Sequence, residues 1–477
     1  MSFIRFVAPF SVTMPKFLGG LTVQLLLSVA IFALVMRQGA VYGYDSASYI
    51  APAIIRTPLT PWIIVAFRFV FGESWAAWFV TFQTLAVLLS CIYFVNAVAT
   101  VFQSGQFVRL LIFAIVAAPL LAYEIGNYIL TEAVSYALLL VSFGAIAQLL
   151  LDLRWRNLIL LGGVVAINLL NRPQMIFVYA VYLLALLHFS LREKIWKATA
   201  QTWFLLGLVA LPYGSAALAE HVWNFARHGS YVASNFTGVV QVAANLLYVS
   251  DTGDVPLFHG KSYWASVKKI YSDMDEYKLF AKYRHEVDMN YAAYLSGGIR
   301  PVGIYTTHSS RGDVIYWHTL IRELYAAQVG HDISRQDWNN GKYIDYGDSN
   351  TWLAVQDHSA AIASTLVRAR GKQYLQLLIS KLKSHVSVYE LCIVMAMVVL
   401  PVIVATPWSI FLSLVTVAHV LNLTTVALCT SLWPRLTFYT DHLVLASIVL
   451  CGGMAVSELR RKAPPRVNLL RLWKNGG

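Results

Sequence analysis

Ten long apolar stretches divide the chain, and no other feature constrains its fold as strongly. A helix needs about 20 apolar residues to cross a bilayer. Only 13% of the residues are charged, whereas soluble domains carry about 25%. The sequence therefore predicts an all-α polytopic membrane protein with about ten transmembrane helices. The apolar runs lie at 19–38, 76–100, 110–123, 129–150, 157–170, 174–189, 199–219, 387–406, 408–429 and 437–456.

The basic residues of the short loops all fall on one side of this topology. They lie in the N-terminus, in the loops around 109, 154–156 and 192–197, and in the tail 460–474. Positively charged loops stay in the cytoplasm, so both termini are predicted to be cytoplasmic. Topology then accounts for much of the net charge of +12, and no nucleic-acid partner is expected.

The segment 220–386 differs in composition from the apolar runs around it. It is rich in charged residues and glycine with aromatic residues between them, which favours a mostly helical outer domain inserted between spans 7 and 8. Within it, 359–382 has the spacing of an amphipathic helix near the membrane. The predicted organisation is an N-terminal membrane module (1–219) with a first outer loop at 39–75, the outer domain (220–386), C-terminal membrane helices (387–456) and a basic tail (457–477).

The sequence lacks several common functional motifs. Its four cysteines lie in or at the ends of apolar runs without C-x-x-C spacing, which argues against a disulfide framework or a zinc site. It has no Walker loop and no G-x-S-x-G, which argues against a nucleotide-driven enzyme or a serine hydrolase. Nothing in it demands a metal or another cofactor.

The stretch 42–62, YGYDSASYIAPAIIRTPLTPW, is the first polar segment next to the bilayer. Its three prolines predict short, bent pieces of backbone. Asp45 is a candidate general base, which takes a proton from a hydroxyl as that oxygen attacks. Arg56, Tyr44 and Tyr49 are candidate substrate-binding residues beside it. The competing interpretation is an ordinary loop with a helix-capping or solvated Asp–Arg pair.

Further polar residues fall on the same predicted outer side. Glu132 lies in an apolar helix, where a carboxylate usually faces a polar cavity, although Thr131 or Asn127 could satisfy it structurally. Arg172 and Arg435 could each clamp a phosphate or anchor the chain among lipid headgroups. Asp441 and His442 could pair or line the same cavity. In the predicted outer domain, His308 and Arg311 could form a cluster that binds a sugar or a phosphate. The alternative is that they lie in a solvated loop.

The order of these motifs resembles that of membrane glycosyltransferases of the GT-C superfamily. YDSASYI followed by RTPLTPWI is similar to the first outer loop of bacterial members that use a polyprenyl-phosphate-linked sugar, a group that includes aminoarabinose transferases and relatives of protein O-mannosyltransferases. Many relatives have two adjacent acids where Asp45 is followed by Ser46, which argues against the protein-mannosylating branch. The other matching positions are Arg56 with its two following prolines, Glu132, Arg172 with Pro173, and Arg435.

This resemblance implies a reaction and its partners. The donor would be a sugar on undecaprenyl phosphate, and Asp45 would deprotonate a hydroxyl of a glycan or lipid acceptor, such as lipopolysaccharide. Arg172 or Arg435 would stabilise the leaving phosphate, and a single displacement would invert the anomeric carbon. We expect a monomer among the lipids of the bacterial inner membrane, with its active site in the periplasm.

Two other function classes remain open from the sequence. A glycan polymerase or ligase of the O-antigen type also has many spans and one large outer loop, but it would rely on arginine and histidine of that loop. A transporter would place polar groups at mid-membrane in broken helices of related halves. The sequence shows no similarity between its halves, which favours the transferase.

Overall fold

A computed structural model describes residues 14–43, 45–193, 199–233, 236–283, 315–334, 337–338, 343–385, 395–396, 406–429 and 434–462. Nearly all of these residues are helical. Within the same ranges there is no strand, and the one isolated bridge joins Val41 to Tyr128. This architecture confirms the predicted all-α class.

The described residues form sixteen α-helices, which are numbered in chain order. They are α1 (Met14–Gln38), α2 (Ser46–Ile50), α3 (Leu59–Phe71), α4 (Trp75–Val101), α5 (Gln106–Ala117), α6 (Pro119–Ala122), α7 (Glu132–Leu151), α8 (Trp155–Asn171), α9 (Ile176–Glu193), α10 (Thr199–His228), α11 (Phe236–Val249), α12 (Trp264–Glu276), α13 (Arg322–Val329), α14 (Ser349–His385), α15 (Pro407–Cys429) and α16 (Pro434–Lys462). A π-helical turn, Ile315–Ile321, leads directly into α13.

Seven helical segments of the described chain are long and apolar enough to span a membrane. They overlap seven of the ten predicted runs, and the predicted runs 110–123 and 157–170 coincide with two shorter apolar helices. The remaining run, 387–406, lies almost wholly outside the described residues. The chain is therefore an all-α polytopic membrane protein. The seven segments are Gly20–Gln38, Leu59–Val101, Glu132–Leu151, Pro173–Glu193, Gln201–His228, Pro407–Leu428 and Phe438–Ala455.

The predicted first outer loop contains an apolar helix that the sequence analysis did not identify. Helix α3 begins directly after Pro58, and Pro61 lies in its first turn, where the missing N–H costs no hydrogen bond. It ends at Phe71, and the φ of +54° at the following residue, Gly72, suits glycine. Phe69 is 90% exposed on this helix. Its outward face is therefore apolar, as expected of a helix in contact with lipid.

The buried apolar residues form two separate cores. One fills the membrane bundle and the other fills the segment after α10, which is called the outer domain below after the sequence-based prediction. Its boundaries and its side of the membrane stay predictions. Three residues of the first outer loop, Ala53 to Ile55, belong to the second core, and Ile54 is only 2% exposed. The loop that carries Asp45 is thus packed into the outer domain.

The outer domain is also attached to the end of α15. The Tyr374 hydroxyl of α14 donates to the Leu428 carbonyl at 2.6 Å. The buried Lys381 ammonium lies 2.9 Å from Asn245 Oδ1 and 3.4 Å from the Ala427 carbonyl. A cation at a helix C-terminus is favourable because the last carbonyls carry partial negative charge. Helix α14 contains the amphipathic range predicted at 359–382.

Candidate active site

Asp45 and Arg56 form the first of two ion pairs in the candidate site. Arg56 Nη2 lies 2.6 Å from Asp45 Oδ1, and Arg56 Nε donates to Ser48 Oγ at 2.7 Å. The arginine side chain is 16% exposed and the aspartate side chain 45%. The guanidinium is thus largely buried and orients a carboxylate that an incoming molecule can still reach.

The backbone around Asp45 is fixed by short polar side chains. Ser46 Oγ accepts from the Gly43 N–H at 2.9 Å and donates to the Ile129 carbonyl at 3.0 Å. Ser48 Oγ donates to the Asp45 carbonyl at 2.7 Å. The bond from Ser46 to Ile129 ties the loop to the segment that precedes α7, and the other two bonds fix the turn around the acid.

Asn171, at the end of α8, joins this loop to two helices. Its Oδ1 accepts from Thr60 Oγ1 at 2.6 Å, and its backbone carbonyl accepts from Thr57 Oγ1 at 2.7 Å. Its Nδ2 donates to Ser135 Oγ at 2.7 Å and to the Thr131 carbonyl at 3.1 Å. Asn171 is fully buried. The sequence analysis missed it, although a buried amide next to Arg172 in an apolar run is a recognisable signal.

Glu132 and Arg172 form a second ion pair. Arg172 Nη1 lies 3.2 Å from Glu132 Oε1, and the side chains are 16% and 5% exposed. The same nitrogen donates to Thr131 Oγ1 at 3.2 Å. Asn127, the other candidate partner for the acid, instead donates to the Val35 carbonyl at 2.8 Å and to the Gly39 carbonyl at 2.7 Å. The charge of Glu132 is therefore balanced by arginine.

Arg172 is held on two of its three nitrogens. Nη1 also donates to the Tyr439 hydroxyl at 3.0 Å, and Nε donates to Gln174 Oε1 at 3.1 Å. Nη2 donates to no residue in the part of the chain that the structure describes. A fixed guanidinium with an open nitrogen is suited to binding an oxyanion, because its N–H groups are already oriented.

Tyr49 lies between the two arginines. Its hydroxyl is 3.5 Å from Arg56 Nη1, and the Arg56 guanidinium carbon is 4.7 Å from its ring centre. The same hydroxyl interacts electrostatically with Arg172. Tyr49 thus interacts with one arginine of each ion pair, the first in the first outer loop and the second directly after α8.

Two tyrosines of the outer domain interact with the Asp45–Arg56 pair. Burial raises the pKa of the Tyr346 hydroxyl, which also interacts electrostatically with Arg56 and Asp45. Burial acts to lower the pKa of Arg56, but Asp45, Tyr49 and Tyr316 more than offset it, so the pKa lies above its ordinary value. The sequence analysis missed both tyrosines because nothing distinguishes them among the 26 of the chain.

Asp441 and His442 do not form the pair that the sequence analysis considered. His442 Nδ1 is 3.0 Å from the carbonyl of Phe438 in the preceding turn. Asp441 Oδ1 lies 3.6 Å from His419 Nδ1 on the neighbouring helix. Adjacent residues on a helix point in different directions, which favours a partner on another helix.

Four predicted site residues cannot be placed by their side chains. Tyr44, His308 and Arg311 lie outside the described residues. Arg435 is in the first turn of α16, but the structure describes only its backbone. Their assignment as substrate-binding residues stays a prediction.

The chain was also compared with known proteins. No family model matches it, and no curated protein matches it. Among solved structures, the chain is similar to ArnT from Cupriavidus metallidurans bound to undecaprenyl phosphate, with 11% sequence identity and a TM-score of 0.31. The similarity covers 94% of this chain and 81% of the other. A TM-score of this size does not establish a shared fold, so the function is argued from the site itself.

Proposed function

We propose that the protein is an inverting glycosyltransferase that moves a sugar from a polyprenyl-phosphate carrier to a hydroxyl group. Asp45 is its general base. The acceptor is a cell-surface glycan or lipopolysaccharide, and the reaction takes place on the periplasmic side of the bacterial inner membrane. The order of motifs that resembles GT-C enzymes supports the substrate class, and the two ion pairs support the chemistry.

The observation that carries this proposal is the half-exposed carboxylate of Asp45. One of its oxygens is fixed by Arg56, while 45% of the side chain remains accessible. In the reaction, Asp45 takes the proton of the acceptor hydroxyl, and the hydroxyl oxygen forms a bond to the anomeric carbon. The bond from that carbon to the phosphate oxygen breaks at the same time. The lipid phosphate leaves as a stable anion and needs no general acid.

Arg172 supplies the positive charge for that leaving group. Its Nη1 and Nε are occupied by protein partners, and its Nη2 donates to none of the residues that the structure describes. In this proposal Nη2 binds the phosphate. A guanidinium held in this way stabilises the charge that develops on the phosphate without first reorganising. Tyr49 and Arg56 lie beside it and contact the bound sugar-phosphate in this proposal.

The proposed side of the membrane follows from the loop charges. The site lies where α1 ends and α7 begins, opposite the predicted cytoplasmic loops around 109 and 154–156. Because basic loops stay in the cytoplasm, the site faces the periplasm in this proposal.

The test uses purified protein in lipid nanodiscs and a panel of sugars linked to undecaprenyl phosphate. The measured quantity is undecaprenyl phosphate released in the presence of a bacterial glycolipid extract, detected by mass spectrometry. We expect release that depends on both donor and acceptor and is lost in Asp45→Asn. A glycan polymerase would extend lipid-diphosphate-linked oligosaccharides instead, and a transporter would leave every donor intact. Either result would contradict the proposal.

A further inference from the structure

We propose that His419 is a positioning residue for Arg172 and acts through Asn422 and Gln174. This inference rests on the proposed function, because it takes Arg172 as the group that binds the phosphate of the donor. It assigns a role to polar side chains of α15 and α16 that no sequence motif identified.

A row of side-chain hydrogen bonds runs from Arg172 into α15 and α16. Arg172 Nε donates to Gln174 Oε1 at 3.1 Å, and Gln174 Nε2 donates to Asn422 Oδ1 at 2.8 Å. Asn422 Nδ2 donates to Thr440 Oγ1 at 3.1 Å. Thr440 Oγ1 lies 3.1 Å from His419 Nδ1. The bond between Arg172 and Gln174 is local, and the other three join residues of different helices or segments. In this proposal a change at His419 is passed along the row to the guanidinium.

The surroundings make each of these bonds costly to break. Asn422 and Thr440 are fully buried, and the His419 side chain is 16% exposed. An apolar environment offers no water to replace a lost partner, so a buried amide or hydroxyl must find its partners within the network. The network is therefore expected to hold one arrangement of its side chains.

This arrangement sets the plane of the Arg172 guanidinium. Nη1 is fixed by Glu132 and Tyr439, and Nε is fixed by Gln174. With only Nη1 held, the guanidinium could turn about that nitrogen and move Nη2 away from a ligand. Gln174 opposes this rotation, and its own amide is held by Asn422 at 2.8 Å. The far end of the network thus affects binding without touching the ligand.

The contact at His419 is made by one particular ring nitrogen. Nδ1 faces both Thr440 Oγ1 at 3.1 Å and Asp441 Oδ1 at 3.6 Å. An asparagine side chain places its amide near the position of Nδ1, whereas a glutamine side chain places its amide near that of Nε2. His419→Asn should therefore keep the network, and His419→Gln should break it although both substitutes are neutral amides.

The experiment measures binding of undecaprenyl phosphate to the full chain in nanodiscs by native mass spectrometry. We expect His419→Leu and His419→Gln to weaken binding by about 5-fold, the scale of one net hydrogen bond, and His419→Asn to stay within about 2-fold of wild type. Undecaprenol, which lacks the phosphate, should bind all variants equally. Binding of inorganic phosphate is measured as well, which shows whether the lipid tail is required for binding.

Matched controls separate positioning from general loss of structure. Asn96→Leu removes another intramembrane amide. Asn96 lies near the C-terminal end of α4, and its amide is bonded to the Ile92 carbonyl at 2.8 Å. This variant should bind undecaprenyl phosphate as wild type does. If His419→Leu fails to fold, the positioning role of His419 is tested by comparing the binding of His419→Asn with that of His419→Gln.

A double variant tests whether His419 acts through Arg172. Adding His419→Leu to Arg172→Gln should weaken binding no further, because the guanidinium is already absent. Additive losses, or equal binding by His419→Asn and His419→Gln, would overturn the positioning role and leave the proposed function standing. Unchanged binding by Arg172→Gln, or no binding by wild type, would overturn both.

Discussion

Replacing Asp45 by asparagine tests the central step of the proposed chemistry. Asparagine keeps the volume of the side chain and an oxygen that can accept from Arg56, but it cannot take a proton from the acceptor. General-base contributions are about 10²- to 10⁴-fold in rate. This range corresponds to about 2.7–5.4 kcal/mol of activation free energy.

The expected effect on stability is smaller. A hydrogen bond to a charged group contributes about 1.5–3 kcal/mol. The Asp45 side chain is 45% exposed, so solvent screening reduces this loss to about 1 kcal/mol. Arg56 also keeps its contacts with Ser48 and Tyr49. The variant should therefore fold, and its loss of activity should exceed what partial unfolding explains.

The assay is the release of undecaprenyl phosphate by purified, correctly folded protein, compared with wild type on the same donor. A second variant, Asp45→Asn with Arg56→Gln, removes both charges together. If Asp45 only neutralises the buried arginine, Asp45→Asn should lower the Tm and the double variant should restore it, because no buried charge is left unpaired. If Asp45 is the base, Asp45→Asn should lose activity while its Tm stays near that of wild type. Activity of Asp45→Asn above about a tenth of wild type would refute the reasoning.

Three further outcomes are expected. Arg172→Ala and Arg435→Ala should each weaken donor use by about 1.5–3 kcal/mol, because each removes one charge-assisted contact to phosphate; wild-type donor kinetics would exclude either residue from the site. A cysteine at exposed Ser334, in a background without other cysteines, should react with an impermeant thiol reagent in intact spheroplasts; labelling only after lysis would reverse the predicted orientation. A methyl group at Gly126 would lie 2.9–3.1 Å from three side-chain atoms, so Gly126→Ala should cost about 1–3 kcal/mol and lower the Tm. Gly163→Ala, which meets no atom within 4 Å on α8, is the matched control, and an equal fall in Tm would contradict the packing argument.

The membrane helices were predictable because their signal is local. A run of about 20 apolar residues is visible without knowledge of its neighbours. Helix α3 was missed for the same reason: Leu59–Phe71 has only 13 residues and follows a stretch rich in proline. Its apolar outward face becomes recognisable only when the packed side of the helix is known.

The sequence predicts several charged residues of the candidate site but not which of them form ion pairs. Asp45, Glu132 and Arg172 stand out for their charge in apolar surroundings. In the structure, Arg172 Nη1 lies 3.2 Å from Glu132 Oε1. Which acid meets which base depends on the packing of α7 against α8, and Glu132 and Arg172 are 40 positions apart in the chain. Tyr439 is farther still from Arg172 in sequence and joins it only through the position of α16.

The loop that carries Asp45 is anchored in both cores. Ile54 and Ile55 are 2% and 6% exposed within the second core, while Thr57 and Thr60 bond to Asn171 in the bundle. Burial of each isoleucine contributes about 1.5–3 kcal/mol. A loop fixed by one attachment could still rotate about it. Attachment on both sides restricts that motion and holds the carboxylate in place, as the proposed role of general base requires. In this proposal the second core contributes to the site through packing as well as through Tyr316 and Tyr346.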